Sequence, residues 1–118
     1  IFINADNFRI TQVMSNLIVN SLNYGVENGT IEIVTKNLSK EKLLVRVIDN
    51  GQGIPDDDLP RVFERFYRVD KTRNRQEGGS GLGLAIVKHI VEAHNEIVYV
   101  ESSLNVGSEF SFTLTKSN

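Results

Sequence analysis

Four glycines fall within residues 78–83, and an apolar run with helical spacing follows them as far as Lys88. Glycine lets the backbone approach a ligand closely, and the first N–H groups of a helix point at an anion. A glycine-rich turn that leads into a helix is therefore typical of a phosphate-binding site. Alone it is a weak signal, because Gly-x-Gly-x-Gly also occurs in ordinary loops. Two further motifs lie upstream, and the three together predict nucleotide binding.

The first upstream motif is Asp49-x-Gly51-x-Gly53, which directly follows a predicted strand. An aspartate at a strand end can accept a hydrogen bond from an exocyclic amine, and the two glycines would let a planar ring lie against the backbone. Asp-Asn-Gly is also common turn chemistry, and alone the motif would favour a plain turn. Together with the glycine-rich turn at 78–83, it favours a nucleotide site.

The second upstream motif is a pair of asparagines four residues apart, Asn16 and Asn20, which share one face of a predicted helix. An amide oxygen is a hard ligand suited to Mg²⁺, which otherwise keeps waters and phosphate oxygens. The alternative is a pair of solvated surface amides. Asparagine is a middling-to-poor helix former, so a third one at Asn23 in the same helix strengthens the functional interpretation.

Cationic side chains are concentrated in one stretch of an otherwise acidic protein. The guanidinium of arginine matches the geometry of phosphate with its fork of donors. Most of these cations are expected to be solvated, but Arg68, between the aromatic pair Phe66-Tyr67 and a polar loop, is predicted to reach phosphate. The six cations are Arg61, Arg65, Arg68, Lys71, Arg73 and Arg75.

Other chemistry-bearing residues favour structural roles. Phe63, Phe66 and Tyr67 are predicted to anchor a short helix. His89 and His94 lack a suitably spaced carboxylate or cysteine partner, so they are predicted to be a packing residue and a helix C-terminal residue rather than metal ligands.

Composition limits the possible classes of protein. The chain has 118 residues, of which 40% are apolar and 24% charged, as in an ordinary globular domain. The net charge of −2 gives no basic field for nucleic acid or an anionic membrane surface. The absence of cysteine excludes disulfides and thiolate metal sites and fits a reducing compartment. No signal peptide or membrane-spanning run is visible, and the start at Ile1 without methionine suggests a fragment of a longer protein.

Hydrophobic periodicity predicts the elements that hold these motifs. Asp6 is the predicted N-cap of a helix that ends near Tyr24, with Gly25 expected to take a positive φ. Adjacent strand pairs imply hairpins, and helices must then cover one face, which predicts a two-layer α+β sandwich. The predicted strands are 1–5, 30–36, 43–48, 97–101 and 109–114, the further helices are 56–66 and 82–94, and 69–79 is a mobile loop.

The ordered motifs resemble those of the catalytic and ATP-binding domain of bacterial sensor histidine kinases, within the GHKL ATPase superfamily. Residues 16–24 resemble the N box, 49–54 the first glycine box, 61–68 the F box and 79–84 the second glycine box. The closing Gly107-Ser108-x-Phe110 also matches. The F box separates histidine kinases from the gyrase, mismatch-repair and chaperone branches of the superfamily.

The resemblance implies one domain over residues 1–118 with the Bergerat (GHKL) fold, an α+β sandwich with a mixed sheet, about three helices on one face and a mobile ATP lid at 69–78. It implies a protein-histidine kinase that binds ATP and Mg²⁺ and donates the γ-phosphoryl group to a histidine on dimerisation helices that the fragment lacks. The implied partners are those helices, in a homodimer, and a cognate response regulator. The implied location is the cytoplasmic part of a membrane-anchored bacterial sensor, without direct contact of this domain with nucleic acid or the membrane.

The resemblance also implies roles for individual residues. Asp49 would bind the adenine amine, with a water shared with Ser108, and Tyr24 would lie against the adenine. Asn20 would ligate Mg²⁺, and Asn20 and Arg68 would act in catalysis. The implied nucleotide-binding residues are Asn16, Asn20, Asn23, Tyr24, Asp49, Gly51, Gly53, Ile54, Tyr67, Arg68, Lys71, Gly79, Ser80, Gly81, Leu82, Gly83, Leu84 and Ser108.

Three departures from the family pattern leave alternatives open. Asn23 stands where the family usually has a basic residue, Asn95-Glu96 replaces the usual Gly-Gly, and neither histidine has the context of a phosphoacceptor. Because asparagine tolerates a left-handed backbone, the second departure predicts only a small structural cost. The first keeps open an ATP-binding pseudokinase that transfers nothing. A third hypothesis is an ATPase that hydrolyses ATP to drive dimer closure. The F box argues against this hypothesis.

Overall fold

The described part of the chain folds into five strands and two α-helices around a short 3₁₀ turn. The computed structural model describes residues 2–3, 5–67 and 82–117. The loop predicted at 69–79 and the lid implied at 69–78 therefore lie outside the described residues. The elements are β1 (Phe2–Ile3), α1 (Asn7–Asn23), β2 (Ile31–Asn37), β3 (Lys42–Asp49), the 3₁₀ turn (Leu59–Arg61), α2 (Gly83–Ala93), β4 (Val98–Ser103) and β5 (Gly107–Ser117).

The sheet is built around β5, which is its longest strand. β3 lies along one side of β5 with β2 beyond it, while β4 and β1 both pair with the other side of β5. Both α-helices cover the same face, which confirms the predicted two-layer α+β sandwich. Every described pairing is antiparallel, so the expected mixed sheet is wrong for this part of the chain, where β2–β3 and β4–β5 follow one another as hairpins.

Helix α1 begins as predicted at the N-cap Asp6, whose carboxylate accepts a hydrogen bond from the N–H of Arg9 at 3.1 Å. Its buried residues recur every fourth position and form one stripe toward the sheet. The helix ends at Asn23, and the N–H of the C-cap residue Tyr24 donates to the carbonyl of Asn20. The positive φ predicted for Gly25 is wrong, because Tyr24 closes the helix without a left-handed residue.

The hydrophobic core lies between the two helices and one face of the sheet. β3 alternates buried and half-buried residues along its length, as expected for a strand with one covered face. Phe110 and Phe112 of β5 are fully buried at the centre of this face. The core residues are Val13, Leu17, Leu43, Val45, Val47, Val87, Ile90, Val91, Phe110, Phe112 and Leu114.

A buried carboxylate anchors the connection between α2 and β4. Glu96 is 7% exposed and accepts hydrogen bonds from Thr113 at 2.7 Å, Thr115 at 2.7 Å and the Lys42 ammonium at 2.9 Å. The preceding Asn95 has a φ of 60°, the left-handed conformation that the sequence predicted asparagine would tolerate. No pattern in the sequence indicated that Glu96 itself would be buried.

The predicted helix over 56–66 is wrong, because this segment forms a chain of tight turns. Backbone hydrogen bonds link residues three apart, from Asp58 to Pro55, Arg61 to Asp58, Glu64 to Arg61 and Tyr67 to Glu64. Only Leu59–Arg61 is a 3₁₀ helix. Pro60 has no N–H to donate to an α-helical bond, and this favours the tighter turns.

None of the described helices is long and apolar enough to cross a lipid bilayer.

α2 spans Gly83–Ala93, one residue inside each predicted end, and packs against α1.

We predict that Glu96 makes stability depend on pH. Burial alone would raise the pKa of Glu96, but the hydrogen bonds from Thr115, Lys42 and Thr113 outweigh it and hold the pKa below the ordinary value. A lowered pKa in the folded state gives stability that is present above the unfolded-state pKa of about 4.3 and is lost as the pH falls through the folded-state value. Glu96→Gln is therefore expected to lower the free energy of unfolding at pH 7 by about 1–3 kcal/mol.

The measurement is urea unfolding of both proteins from pH 7 down to pH 3, with the exposed Glu27→Gln as the matched control. The difference between wild type and Glu96→Gln should shrink as the pH falls below about 4.5. A difference that stays constant over this range would contradict the role of the Glu96 charge.

Candidate nucleotide-binding site

Asp49 lies where the core face of the sheet ends and becomes polar. The register pairs Val47 with Phe110 and, two residues further on, Asp49 with Ser108. On β2, Ile31 lies opposite Asp49, and on β4, Ser102 lies opposite Ser108. These four residues form one row across the sheet. Because alternate residues of a strand share a face, Asp49 and Ser108 point to the same side as the core, at its open end.

The Asp49 carboxylate is held from two directions. Its Oδ2 accepts a hydrogen bond from the Ser21 hydroxyl of α1 at 3.0 Å, and its Oδ1 accepts one from the N–H of Gly51 at 2.9 Å. A carboxylate has about four acceptor positions, so acceptor capacity remains for a further donor such as an amine. Asp49 can therefore still accept a hydrogen bond, as its predicted role requires.

The first glycine box packs too closely against its neighbours for side chains. A Cβ atom at Gly51 would lie 2.5 Å from the carbonyl oxygen of Tyr24, and one at Gly53 would overlap the carbonyl oxygen of Ser103. Gly53 also has a φ of 76°, which other residues adopt only with strain. The glycines therefore let the segment 51–54 lie against both the end of α1 and the end of β4.

Ser102 fixes the far end of this segment, a role that the sequence did not indicate. Its hydroxyl oxygen accepts a hydrogen bond from the N–H of Ile54 at 2.7 Å. The same oxygen lies 2.9 Å from the carbonyl of Gly107 and 2.9 Å from the hydroxyl of Ser108. Ser102 thereby joins the glycine segment, the β4–β5 hairpin and the polar row that contains Asp49.

The asparagines of α1 flank Ser21, the helix residue that donates to Asp49. Asn16, Asn20 and Asn23 are all half-buried, and the amide nitrogen of Asn16 donates to the carbonyl of Gly83 at 3.3 Å. This bond connects the N box directly to the first residue of α2. Tyr24 follows, and its carbonyl accepts the N–H of Gln52 at 3.2 Å. The predicted N box therefore touches both glycine boxes.

The second glycine box is described from its last residues onward. Leu82, Gly83 and Leu84 are half-buried at the start of α2, where the N–H of Ile86 donates to the carbonyl of Leu82 at 2.9 Å. Gly79, Ser80 and Gly81 lie outside the described residues, as do the predicted phosphate contacts Arg68 and Lys71 and the cations Arg73 and Arg75.

The described part of the F box is held by its own side chains. The hydroxyl of Tyr67 donates to the Asp58 carboxylate, and this bond is the main cause that raises the pKa of Tyr67. The Arg61 guanidinium lies 4.5 Å from the centre of the Tyr67 ring and forms an ion pair with Glu64 at 3.0 Å. Arg61 is thus engaged by other residues of the F box.

The aromatic residues of the F box do not all act as anchors. Phe63 packs edge-on against Phe110, with ring centres 6.1 Å apart, as predicted. Phe66 is 69% exposed and has a φ of 64°, so its predicted role as an anchor is wrong. The left-handed backbone at Phe66 turns the ring out of the chain of turns and away from the core.

The two histidines differ from each other. His89 is exposed, so its predicted role as a packing residue is wrong. His94 is the C-cap of α2, its Nδ1 lies 2.9 Å from the carbonyl of Ile90, and its Nε2 accepts the N–H of Asp6 at 3.1 Å. His94 therefore ties the end of α2 to the start of α1. Among the described residues, no group of three or more His, Cys, Asp or Glu side chains could hold a metal ion.

A family model for the histidine kinase-, DNA gyrase B- and HSP90-like ATPases matches residues 5–118. The chain belongs to this ATPase family. It is 44% identical over 115 residues to the sensor histidine kinase WalK of Bacillus subtilis (strain 168), and the match covers 97% of the chain and 19% of that protein. The chain thus spans about a fifth of the length of the curated relatives it matches.

Solved structures share the fold. The mycobacterial sensor histidine kinase MprB superposes with a TM-score of 0.86 at 26% identity, covering 97% of this chain and 76% of that one. Full-length ShkA in complex with AMPPNP superposes with a TM-score of 0.80 at 30% identity, covering 98% of this chain and 23% of that one. The resemblance to histidine kinase catalytic domains that the four motifs indicated is therefore confirmed.

We predict that the close packing at Gly53 is needed for both stability and binding. Gly53→Ala is expected to lower the free energy of unfolding by about 1–3 kcal/mol, because alanine is strained at this φ and its Cβ meets the backbone of Ser103. It should also weaken nucleotide binding, because Ile54 would move away from Ser102.

Urea unfolding and nucleotide titration measure the two effects. Gly25→Ala is the contrasting variant, since Gly25 does not have a positive φ and its added Cβ would meet its nearest atom, the carbonyl oxygen of Ser21, at 3.0 Å. Equal effects of the two substitutions would contradict a special role for Gly53.

Proposed function

We propose that the chain binds Mg²⁺ and ATP between α1, the first glycine box and the start of α2, and donates the γ-phosphoryl group to a histidine. The observation that carries this proposal is the Asp49 carboxylate, held by Ser21 and Gly51 at the open end of the core face. Membership of the ATPase family supports it, as does the match to full-length ShkA in complex with AMPPNP.

The base would lie at the Asp49 end of the site. The remaining acceptor positions of the carboxylate would take the amine of adenine, and Ser108, its cross-strand partner, would add a hydroxyl beside it. The close packing of Gly51 against Tyr24 and of Gly53 against Ser103 would hold the backbone of this segment in place beside the ring. Tyr24 and Ile54 border the same segment and would contact the base.

The phosphates would lie toward the asparagines and the start of α2. Asn16 and Asn20 are half-buried on neighbouring turns of α1, and Asn16 already contacts Gly83. The N-terminus of an eleven-residue helix such as α2 favours negative charge. Leu82, Leu84 and the residues Gly79, Ser80 and Gly81 would complete this end, with Tyr67, Arg68 and Lys71 from the F box and the lid.

The donor set fits Mg²⁺. The ion commonly takes one or two protein oxygens and completes its octahedron with phosphate oxygens and waters. The amide oxygen of Asn20 would be the protein ligand, and Asn23 would lie beside it. When bound, Mg²⁺ would neutralise charge on the phosphate oxygens.

Transfer would depend on positioning and charge rather than on covalent participation of this chain. A nitrogen of the acceptor imidazole would form a bond to the γ-phosphorus as the bond to the bridging oxygen breaks, which leaves ADP. Asn20 and Arg68 would act by orienting the phosphates and stabilising their charge. The acceptor would lie on dimerisation helices outside these 118 residues, because neither His89 nor His94 has the sequence context of a phosphoacceptor and His94 is also engaged by Asp6 and Ile90.

The partners follow from this reaction. The phosphorylated histidine would pass its phosphoryl group to a cognate response regulator, and the dimerisation helices would pair two copies of the natural protein. We place this domain on the cytoplasmic side of a membrane-anchored sensor, as the relation to the WalK sensor kinases supports.

We predict that Asp49→Asn weakens binding of an ATP analogue about 10- to 150-fold, the loss expected for a charge-assisted hydrogen bond of roughly 1.5–3 kcal/mol. The amide can satisfy only one of the two donors with its oxygen and would turn a donor toward the adenine amine. Calorimetric titration measures the change, with the exposed Asp57→Asn as a matched control. Unchanged affinity in Asp49→Asn would remove Asp49 from the site.

We further predict where the phosphoryl group goes. Incubated with γ-labelled ATP, the 118 residues alone should stay unlabelled, whereas the natural protein that contains them should gain an acid-labile label. Label on the isolated chain would contradict an acceptor outside it. Bound ATP without label in the natural protein would favour the pseudokinase suggested by Asn23.

A further inference from the structure

Ser21 occupies a core position with a polar side chain. It continues the buried stripe of α1 after Val13 and Leu17 at the same four-residue spacing, and it is 1% exposed. A buried hydroxyl is unfavourable unless it is hydrogen-bonded. This hydroxyl donates to Oδ2 of Asp49 at 3.0 Å, so the polar atom in the core is directed at the carboxylate of the site.

The bond from Ser21 completes a two-point restraint on Asp49. The other carboxylate oxygen accepts the N–H of Gly51 at 2.9 Å, from the loop rather than from the helix. Two donors on two different elements fix the plane of the carboxylate, which one donor alone would leave free to rotate. The remaining acceptor positions then have a fixed direction.

We propose that Ser21 is a positioning residue that makes the site selective for a 6-amino purine over a 6-oxo purine. This inference rests on the proposed function, in which Asp49 accepts the amine of the base. Ser21 would act through Asp49 and would not itself contact the nucleotide.

The selectivity follows from the fixed direction of the carboxylate. A restrained carboxylate accepts a hydrogen bond from the 6-amino group of adenine. Opposite the 6-oxo group of hypoxanthine, the same carboxylate oxygen would face another acceptor, and the two would repel each other. Sites built to receive a donor discriminate strongly against ligands that lack it. A carboxylate without the Ser21 bond can turn, which weakens the bond to the amine and also relieves the opposition to the 6-oxo group.

The experiment compares ADP with IDP, which differ at this position of the base. Both are titrated with Mg²⁺ into the wild-type chain, Ser21→Ala, Ser21→Cys and Ser111→Ala. Cysteine keeps a side-chain atom in the position but is only a weak donor. Ser111→Ala is the matched control, because Ser111 is a buried serine that donates to Glu109 on the other face of the sheet.

In Ser21→Ala we expect affinity for ADP to fall about fivefold to tenfold, while affinity for IDP changes less than about twofold, so that the preference for ADP decreases. Ser21→Cys should change in the same direction, and it decides the question if Ser21→Ala does not unfold cooperatively. Ser111→Ala should keep the wild-type preference.

The contrary results are distinct. Equal losses for ADP and IDP in both Ser21 variants would indicate a merely structural role and overturn this inference, as would an unchanged preference for ADP. If the folded wild-type chain bound neither nucleotide, the proposed function would fail first and this inference with it.

Discussion

The antiparallel register of β3 against β5 is the constraint on which the rest of the structure depends. It sets Val47 opposite Phe110 in the core, and the same alternation two residues later sets Asp49 opposite Ser108. A shift by one residue would turn the core residues of β3 to the other face and remove Asp49 from the helix that carries Ser21. The packing that stabilises the fold and the direction of the site carboxylate are therefore one arrangement.

The two helices pack on the core face of this sheet and bring the sequence motifs together. α1 contributes the core stripe and, on the adjoining face, the asparagines of the N box, while Asn16 contacts the start of α2. At the opposite end of the helix layer, His94 ties α2 back to Asp6. The glycine-rich segments lie where these elements meet. Because the chain belongs to the family of histidine kinase-like ATPases, this meeting point is the candidate nucleotide site.

Local periodicity explains which parts of the fold could be predicted. Some features depend only on residues close together in the chain, so the sequence predicts them well. They are the buried stripe of α1, the alternation of β3 and the N-cap Asp6. The prediction of a helix over 56–66 was wrong. Pro60 and the left-handed backbone at Phe66 favour tight turns over a helix in this segment. The partners of Glu96 and Ser21 could not be predicted, since each depends on residues brought together only by the folded sheet.

The central claim is that these motifs form one working nucleotide site, and calorimetric titration of a non-hydrolysable ATP analogue with excess Mg²⁺ into the 118-residue chain tests it most directly. The account predicts saturable binding at a single site, despite Asn23 in place of the usual basic residue. A chain that is folded by circular dichroism and unfolds cooperatively, yet takes up no analogue, would contradict it.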